Sequence, residues 1–215
     1  MPQNLVEVIC AGQFGAAIAA DLALLRPEYG VRMWDEHSDS LPDAHIYVAA
    51  LWRATPALCD ALDRLCHKMS RAFVTITAEA TTLRIGPVVL PGRGACWRCW
   101  TKRQRQHDPW ADRREALLQY YHQHPGEGPK GYIGPFSMLG AAKLAAVLDR
   151  ILSGSALGGY IWEIDMITRD MFDWTVIGVH GCHQCGLQRP AETRSVTEMR
   201  ESLKHLWSER NIDAP

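Results

Sequence analysis

The sequence predicts an α/β fold with a parallel sheet in its N-terminal half and a partly antiparallel C-terminal half. Strand-like and helix-like segments alternate up to residue 77, which is typical of a doubly wound parallel sheet. Within 160–179, two strand-like segments then follow each other without a helix between them. Two Cys-x-x-Cys pairs lie near the two ends of the second half, at 96–99 and at 182–185. We therefore expect a Rossmann-like N-terminal half and a C-terminal half that is stapled through its cysteines.

The first half opens with a β-rich run, a glycine-bearing turn and a segment rich in helix formers. Pro27 and Gly30 end this first helix, and Leu58, Leu62 and Leu65 line one face of the next. In chain order the sequence predicts strand 5–10, turn 12–15, helix 16–25, strands 31–34 and 45–51, helix 56–69 and strand 72–77.

The second half is less regular. Its longest predicted helix, 135–152, offers Leu139, Ala142, Ala146 and Leu148 for burial. In chain order the sequence predicts one or two strands in 82–90, a short helix at 110–122, a loop at 124–131, the helix 135–152, antiparallel strands at 160–167 and 174–179, and an amphipathic helix at 195–210.

Composition indicates an ordinary globular protein. The 215 residues are 47% hydrophobic and carry a net charge of −1, so the whole chain offers no electrostatic footprint for nucleic acid or a membrane surface. No signal peptide and no run of membrane-spanning length stands out, and we expect a cytoplasmic protein. We expect one domain over 1–190, with a mobile insertion at 101–131, and a C-terminal amphipathic helix within 191–215.

The two cysteine pairs predict a structural zinc site formed by Cys96, Cys99, Cys182 and Cys185. A Cys-x-x-Cys turn presents two sulfurs to one ion, and two such turns complete a tetrahedron. Four thiolates leave no open position for water or substrate, so the chemistry favours a structural over a catalytic metal. The alternative is a set of redox-active or unrelated thiols.

The remaining cysteines and the neighbouring histidines receive simpler interpretations. We expect Cys10, Cys59 and Cys66 to be buried thiols that pack as small hydrophobic groups. His180 and His183 lie beside the second pair, and with four cysteines available we expect them to support the site or face solvent.

The turn between the first strand and helix raises the question of a nucleotide. Gly12 and Gly15 stand where a doubly wound fold cradles a phosphate, and Asp35 follows the second strand, where a carboxylate could bind a ribose hydroxyl. The alternative is a glycine-turned junction without a ligand. The Gly-x-Gly-x-x-Gly pattern is missing, and Phe14 is expected to place a bulky ring where the backbone should approach the phosphate.

The charges that ATP chemistry needs are also missing from this half. Residues 1–67 contain no lysine, and the third strand ends in Ala49-Ala50-Leu51 without a carboxylate for magnesium. We therefore expect no adenylation and no ATP on this chain, and we assign no catalytic residue.

Together these residues resemble the ubiquitin-activating-enzyme-like superfamily, which includes ThiF-type adenylyltransferases. The resemblance rests on the N-terminal strand–glycine–helix, on Asp35, on the segment GPVVLP…ACWRC at 86–99 and on the closing GCHQCG at 181–186. It implies a ThiF-like fold with a structural zinc on the two cysteine pairs.

The segment PGRGACWRCW at 91–100 looks closest to a degenerate branch of that superfamily. The branch acts beside a YcaO-type cyclodehydratase, which converts Cys, Ser or Thr of a ribosomally made, bacteriocin-like precursor peptide into azolines. The resemblance thus implies a non-catalytic, homodimeric scaffold. Because the sequence starts directly at the Rossmann-like strand, we expect a separate chain to bind the leader peptide, unless this chain contacts the precursor itself.

Two other functions remain open. One is an ATP-dependent adenylyltransferase of the ThiF type that activates a peptide or carrier-protein C-terminus, and the other is a nucleotide-sensing regulator. The expected contact surfaces are the segment 101–130 and the helix 195–210. Trp97 and Trp100 either form an exposed docking patch or, as we expect, cover the zinc site.

Overall fold

The computed structural model of the chain describes residues 4–34 and 41–186. Within these residues seven strands form one sheet, and helices pack on both of its faces. The strands are β1 (Asn4–Ala11), β2 (Gly30–Met33), β3 (Ala44–Leu51), β4 (Ala72–Glu79), β5 (Thr82–Val89), β6 (Tyr160–Asp165) and β7 (Met171–Thr175). The helices are α1 (Gly12–Leu25), α2 (Pro56–Met69), α3 (Trp97–His107), α4 (Ala111–Gln123) and α5 (Gly134–Leu152).

The sheet is parallel at one end and antiparallel at the other. Its strand order is β2-β1-β3-β4-β5-β6-β7. Strands β1 to β4 pair in parallel, and β5, β6 and β7 each run antiparallel to the strand before them. The predicted fold class, a Rossmann-like parallel half followed by a partly antiparallel half, is confirmed.

Two hydrophobic cores lie on opposite faces of the sheet. Ile46, Val48 and Ala50 of β3 face the core shared with α1 and α5. The intervening Tyr47 and Ala49 face the other core, which contains α2, α3 and all four paired cysteines. Strands buried on both faces need continuous apolar sequence, which explains the run at 46–51. The cysteine pairs therefore belong to one face of the sheet.

Most predicted elements occur where expected, but the bounds of three elements need correction. Helix α1 begins at Gly12, so the predicted turn 12–15 forms its first turn. Strand β6 ends at Asp165 and β7 spans Met171–Thr175, earlier than the predicted 174–179. Residues 176–179 instead lead irregularly into the second cysteine pair.

The buried face of α5 also differs from the prediction. Leu148 is buried as expected, but Leu139, Ala142 and Ala146 are exposed. The helix packs through a face that includes small residues, among them Gly140, where a Cβ would lie 3.0 Å from side chains of the core. Close approach of the α5 backbone to the sheet therefore accompanies burial of the face that carries Gly140, Leu144 and Leu148.

The segment 101–131 contains the end of α3 and all of α4. None of the α4 side chains is buried, and no helix in the described part of the chain is long and apolar enough to cross a membrane. The mobility expected of 101–131 remains a prediction. Asp35 and the amphipathic helix expected within 191–215 lie outside the described residues.

Candidate functional site

The fold brings the four paired cysteines together in one buried cluster. The sulfur of Cys96 lies 3.7 Å from those of Cys99 and Cys182, and the sulfurs of Cys99 and Cys185 lie 3.4 Å apart. All four sulfurs lie within 4.8 Å of one another. Segments separated by residues 100–181 thus meet at one point beside the sheet.

Each pair is held in its turn by the local backbone. Cys96 is the residue before α3, and the Cys99 N–H donates to its carbonyl over 3.1 Å. The N-terminus of a helix favours thiolates, because its free N–H groups and dipole are positive. In the second pair the Gly186 N–H donates to the Cys182 carbonyl over 2.7 Å, and a Cβ at Gly186 would lie 2.5 Å from that oxygen. Glycine is therefore required there.

The donor set fits a tetrahedral metal ion. Zinc–sulfur bonds of about 2.3 Å place the sulfurs of a tetrahedron about 3.8 Å apart. The observed separations are close to this value, and the Val179 N–H donates to the Cys99 sulfur over 3.2 Å. The neighbouring Cys185 and Cys99 thiols, together with burial, raise the pKa of the Cys96 thiol. A divalent cation reverses this effect, since metal binding deprotonates a coordinating thiol.

A carboxylate on α2 lies beneath this cluster. Asp63 is fully buried, and its Oδ1 accepts the backbone N–H of Trp97 over 3.3 Å. The Nδ1 of His67 lies 2.9 Å from the Asp63 carbonyl oxygen and 3.4 Å from its Oδ1. Burial opposes the charge of His67, but these contacts with Asp63 outweigh it and raise the pKa of the imidazole. Sequence reasoning missed this pair.

The side chains around the cluster mostly follow the predictions. Trp97 and Trp100 are buried in the same core as the cluster, and the Trp97 ring packs edge-on against Phe73. That they cover the metal site stays a prediction. His180 and His183 are exposed. The three cysteines outside the cluster are buried as expected, and burial raises the pKa of each thiol; they are Cys10, Cys59 and Cys66.

The second site suggested by the sequence lies between the ends of β1 and β3. The strand order reverses between these two strands, and open α/β sheets bind ligands in the crevice at such a point. Here the indole of Trp52, directly after β3, covers Gly12, so that a Cβ on Gly12 would overlap the ring. A Cβ on Gly128 would lie 2.7 Å from the six-membered ring of the same indole. Trp52 thus lies between two glycines from distant parts of the chain.

Neighbouring contacts hold the segment around Gly128 over this crevice. The guanidinium of Arg53 donates to the Pro125 carbonyl over 3.0 Å and lies 4.3 Å from the Tyr121 ring centre. The Gly131 N–H donates to Oε1 of Gln13 over 3.2 Å. The start of α1, where a phosphate would bind, is therefore covered by the chain itself.

The predicted nucleotide residues acquire structural roles at this junction. Gly15 allows α1 to approach β3, because a Cβ there would overlap the carbonyl oxygen of Ala50. The Phe14 ring lies in the core beside Tyr132, not over the turn as expected. The residue that covers the turn is Trp52, which the sequence did not reveal. A ligand role for Gly12, Gly15 and Asp35 stays a prediction.

A cleft separates α3 and α4 from the antiparallel end of the sheet. Three adjoining cavities of 590, 550 and 460 Å³ share Trp100, Gln104 and Arg114 in their walls. Two of them also reach Arg84, whose guanidinium contacts Glu79 at 2.9 Å and Glu163 at 3.2 Å. The cleft combines apolar walls with fixed charges.

The sheet order, the change from parallel to antiparallel pairing and the four-cysteine cluster agree with the ThiF-like fold that the resemblance implied. No family model matches the sequence, and no curated protein does. Solved structures do share the fold. A heterocyclase in complex with substrate and cofactor superposes with a TM-score of 0.60 at 16% identity, over 86% of this chain and 26% of that one.

Two further structures support the same conclusion. The heterocyclase TruD matches with a TM-score of 0.58 at 19% identity, over 86% of this chain and 28% of its own. The microcin C7 biosynthetic enzyme MccB, in complex with N-formylated MccA, matches with a TM-score of 0.60 at 14% identity, over 86% and 68% of the two chains. This chain therefore spans about a quarter of the heterocyclases' length, and over the matched residues it shares its fold with all three structures.

Proposed function

We propose that this chain is a zinc-stabilised, non-adenylating subunit of a peptide-modifying complex. In this proposal it assembles with a YcaO-type cyclodehydratase and supports azoline formation in a ribosomally made precursor peptide. The fold shared with two heterocyclases and with a microcin biosynthetic enzyme supports this class of function. The four buried sulfurs support a structural zinc, since their spacing suits a tetrahedral ion and leaves no position for substrate.

The observation that carries the non-adenylating role is the position of Trp52. A nucleotide phosphate at the start of α1 needs the free N–H groups of the first helical turn. The indole lies against Gly12 at that turn, and Gly128 lies against the six-membered ring of the same indole. The absence of lysine from residues 1–67 and of a carboxylate after β3 supports the same interpretation.

Helix α4 is the proposed contact surface for the enzyme partner. Trp110, directly before α4, is 59% exposed, and Leu117 and Tyr120 on the helix are about half exposed. Exposed aromatic residues of this kind are enriched among the residues that dominate binding energy at interfaces. We further propose that the chain forms a homodimer and that the precursor peptide reaches the complex either on this chain or through a separate leader-binding chain.

The proposal is tested by measuring ATP binding and pyrophosphate exchange on the purified wild-type chain, on Trp52→Ala and on Trp110→Ala as a matched control. We expect no exchange in any of them, because opening the crevice does not supply the missing cation and carboxylate, and no ATP binding by the wild-type chain or by Trp110→Ala, in which the indole of Trp52 still lies at the start of α1. A gain of ATP binding in Trp52→Ala without exchange would show that the indole alone excludes the nucleotide.

Pyrophosphate exchange by the wild-type chain would refute the proposal in favour of an adenylyltransferase in which Trp52 and residues 124–131 move aside. The positive half of the proposal is tested with the YcaO-type enzyme and precursor peptide. Adding this chain should raise the rate at which the peptide loses one water per azoline, and a rate that ignores the chain would contradict the subunit role.

A further inference from the structure

Asp63 contacts both cysteine pairs from a position that belongs to neither. It lies on α2 and is fully buried among the residues of the cysteine-containing core. Its carboxylate oxygen Oδ1 accepts the N–H of Trp97, which lies inside the first pair. Its backbone carbonyl accepts Nε2 of Gln184, which lies inside the second pair, over 3.3 Å. One residue is thus hydrogen-bonded to a residue within each Cys-x-x-Cys turn.

The bond to Trp97 fixes the direction in which α3 leaves the first pair. Cys96 stands at the N-cap of α3, and its side chain makes no capping hydrogen bond. The Asp63 carboxylate takes over that role from another helix, and a charged acceptor at a helix N-terminus makes a stronger bond than a neutral one. Because Cys99 lies in the first turn of α3, the orientation of this turn sets where both sulfurs point.

A nearby cation would compensate the charge of the buried Asp63 carboxylate. Its second oxygen, Oδ2, has no hydrogen-bond partner among the described residues, and a buried carboxylate is costly unless positive charge compensates it. His67 supplies one positive charge nearby, and a metal ion on the cysteines would supply another.

We infer that Asp63 is the positioning residue of the metal centre: it holds the two cysteine turns at the separation that a tetrahedral ion requires. This inference rests on the proposed zinc site. It assigns α2, which contributes no ligand, the task of aligning ligands that are far apart in sequence. Outer partners of this kind change metal affinity by about 10- to 100-fold when removed.

The test compares zinc affinity, measured by competition with a chromogenic chelator, in wild type, Asp63→Ala, Asp63→Asn and Asp60→Asn. We expect Asp63→Ala to weaken zinc binding by about 10- to 100-fold. Asp63→Asn keeps an acceptor oxygen for Trp97 and should recover most of this loss. Asp60→Asn lies one turn earlier on α2 and should bind zinc as wild type does. The cobalt-substituted forms should show the same order in the intensity and position of their thiolate absorption bands.

Unchanged zinc affinity in a folded Asp63→Ala protein would overturn the inference while leaving the metal site intact. A folded wild-type protein that binds no metal would instead refute the zinc proposal itself. Should Asp63→Ala fail to fold, Gln184→Ala decides, because it removes one of the two ties at a half-buried position. Weaker zinc binding in that variant supports the positioning role, and wild-type affinity overturns it.

Discussion

Replacing one ligand cysteine separates the contribution of the metal from that of a buried thiol. We consider Cys96→Ser beside Cys59→Ser, since both thiols are buried in the same core and Cys59 is not part of the cluster. Each substitution buries a hydroxyl, which costs about 1–3 kcal/mol when it has no partner. Only the first removes a ligand.

The size of the difference follows from the free energy of metal binding, because the four-cysteine site exists only in the folded chain. A ligand that binds only the folded state stabilises it by RT ln(1 + c/Kd), where c is the free zinc concentration, and this is about 4 kcal/mol when c is about 1,000 times Kd. If the variant loses zinc, Cys96→Ser should therefore lower the unfolding free energy by about 5–7 kcal/mol in all, against about 1–3 kcal/mol for Cys59→Ser. A typical domain has about 5–15 kcal/mol, so the ligand variant is close to unfolding.

The assay combines metal analysis, urea unfolding and hydrogen exchange on both variants and on chelator-treated wild type. We expect about one zinc per chain in wild type and Cys59→Ser. In the chelator-treated sample, α3 and residues 176–186 should lose protection first, while β1 and α1 retain it, because the core around α1 and α5 contains none of the four cysteines. Equal stabilities for the two serine variants, or a metal-free wild type with full protection, would refute this reasoning.

Two further predictions concern contact and packing. The double change Trp110→Ala and Leu117→Ala should weaken binding to a YcaO-type partner at least about tenfold without loss of zinc, since such anchors are worth more than about 1 kcal/mol each. Leu24→Ala, at an exposed leucine of α1, is the control, and titration calorimetry measures the affinity. If the double variant bound the partner as tightly as wild type does, α4 would be excluded as the contact surface. Gly15→Ala should lower the unfolding free energy by about 1–3 kcal/mol, because its Cβ meets the Ala50 carbonyl, whereas Gly126→Ala meets nothing and should leave the thermal midpoint unchanged.

Elements whose ends are marked by residues with strong local conformational preferences could be predicted closely from the sequence. Helix α2 spans 56–69 as predicted, because Pro56 suits a first helical position and Ser70 ends the helix in a left-handed conformation. The metal cluster could be predicted because ligand spacing is a local property of each turn. The face of α5 could not, since the helix is apolar on several sides and close packing against the sheet decides which side is buried.

The features that sequence reasoning missed depend on contacts between distant segments. Trp52 follows a buried strand, and nothing local indicates that Gly12 and Gly128 enclose its ring. Asp63 did leave a signal, because it lies next to Leu62 on the apolar face of α2, where an acidic residue needs a reason. That signal indicates a buried polar group without revealing its partners.

The long separation of the cysteine pairs also orders events during synthesis. At about 5–20 residues per second, the ribosome delivers the second pair some 4–16 s after the first. Helix α5 and strand β6, which complete the core on the opposite face, lie between them and emerge earlier. The core on that face can thus form before Cys182 and Cys185 have been synthesised, and until then the thiols of Cys96 and Cys99 are exposed to oxidants and to other metal ions. The metal site is consequently completed late, and only in chains that have been translated through Cys185.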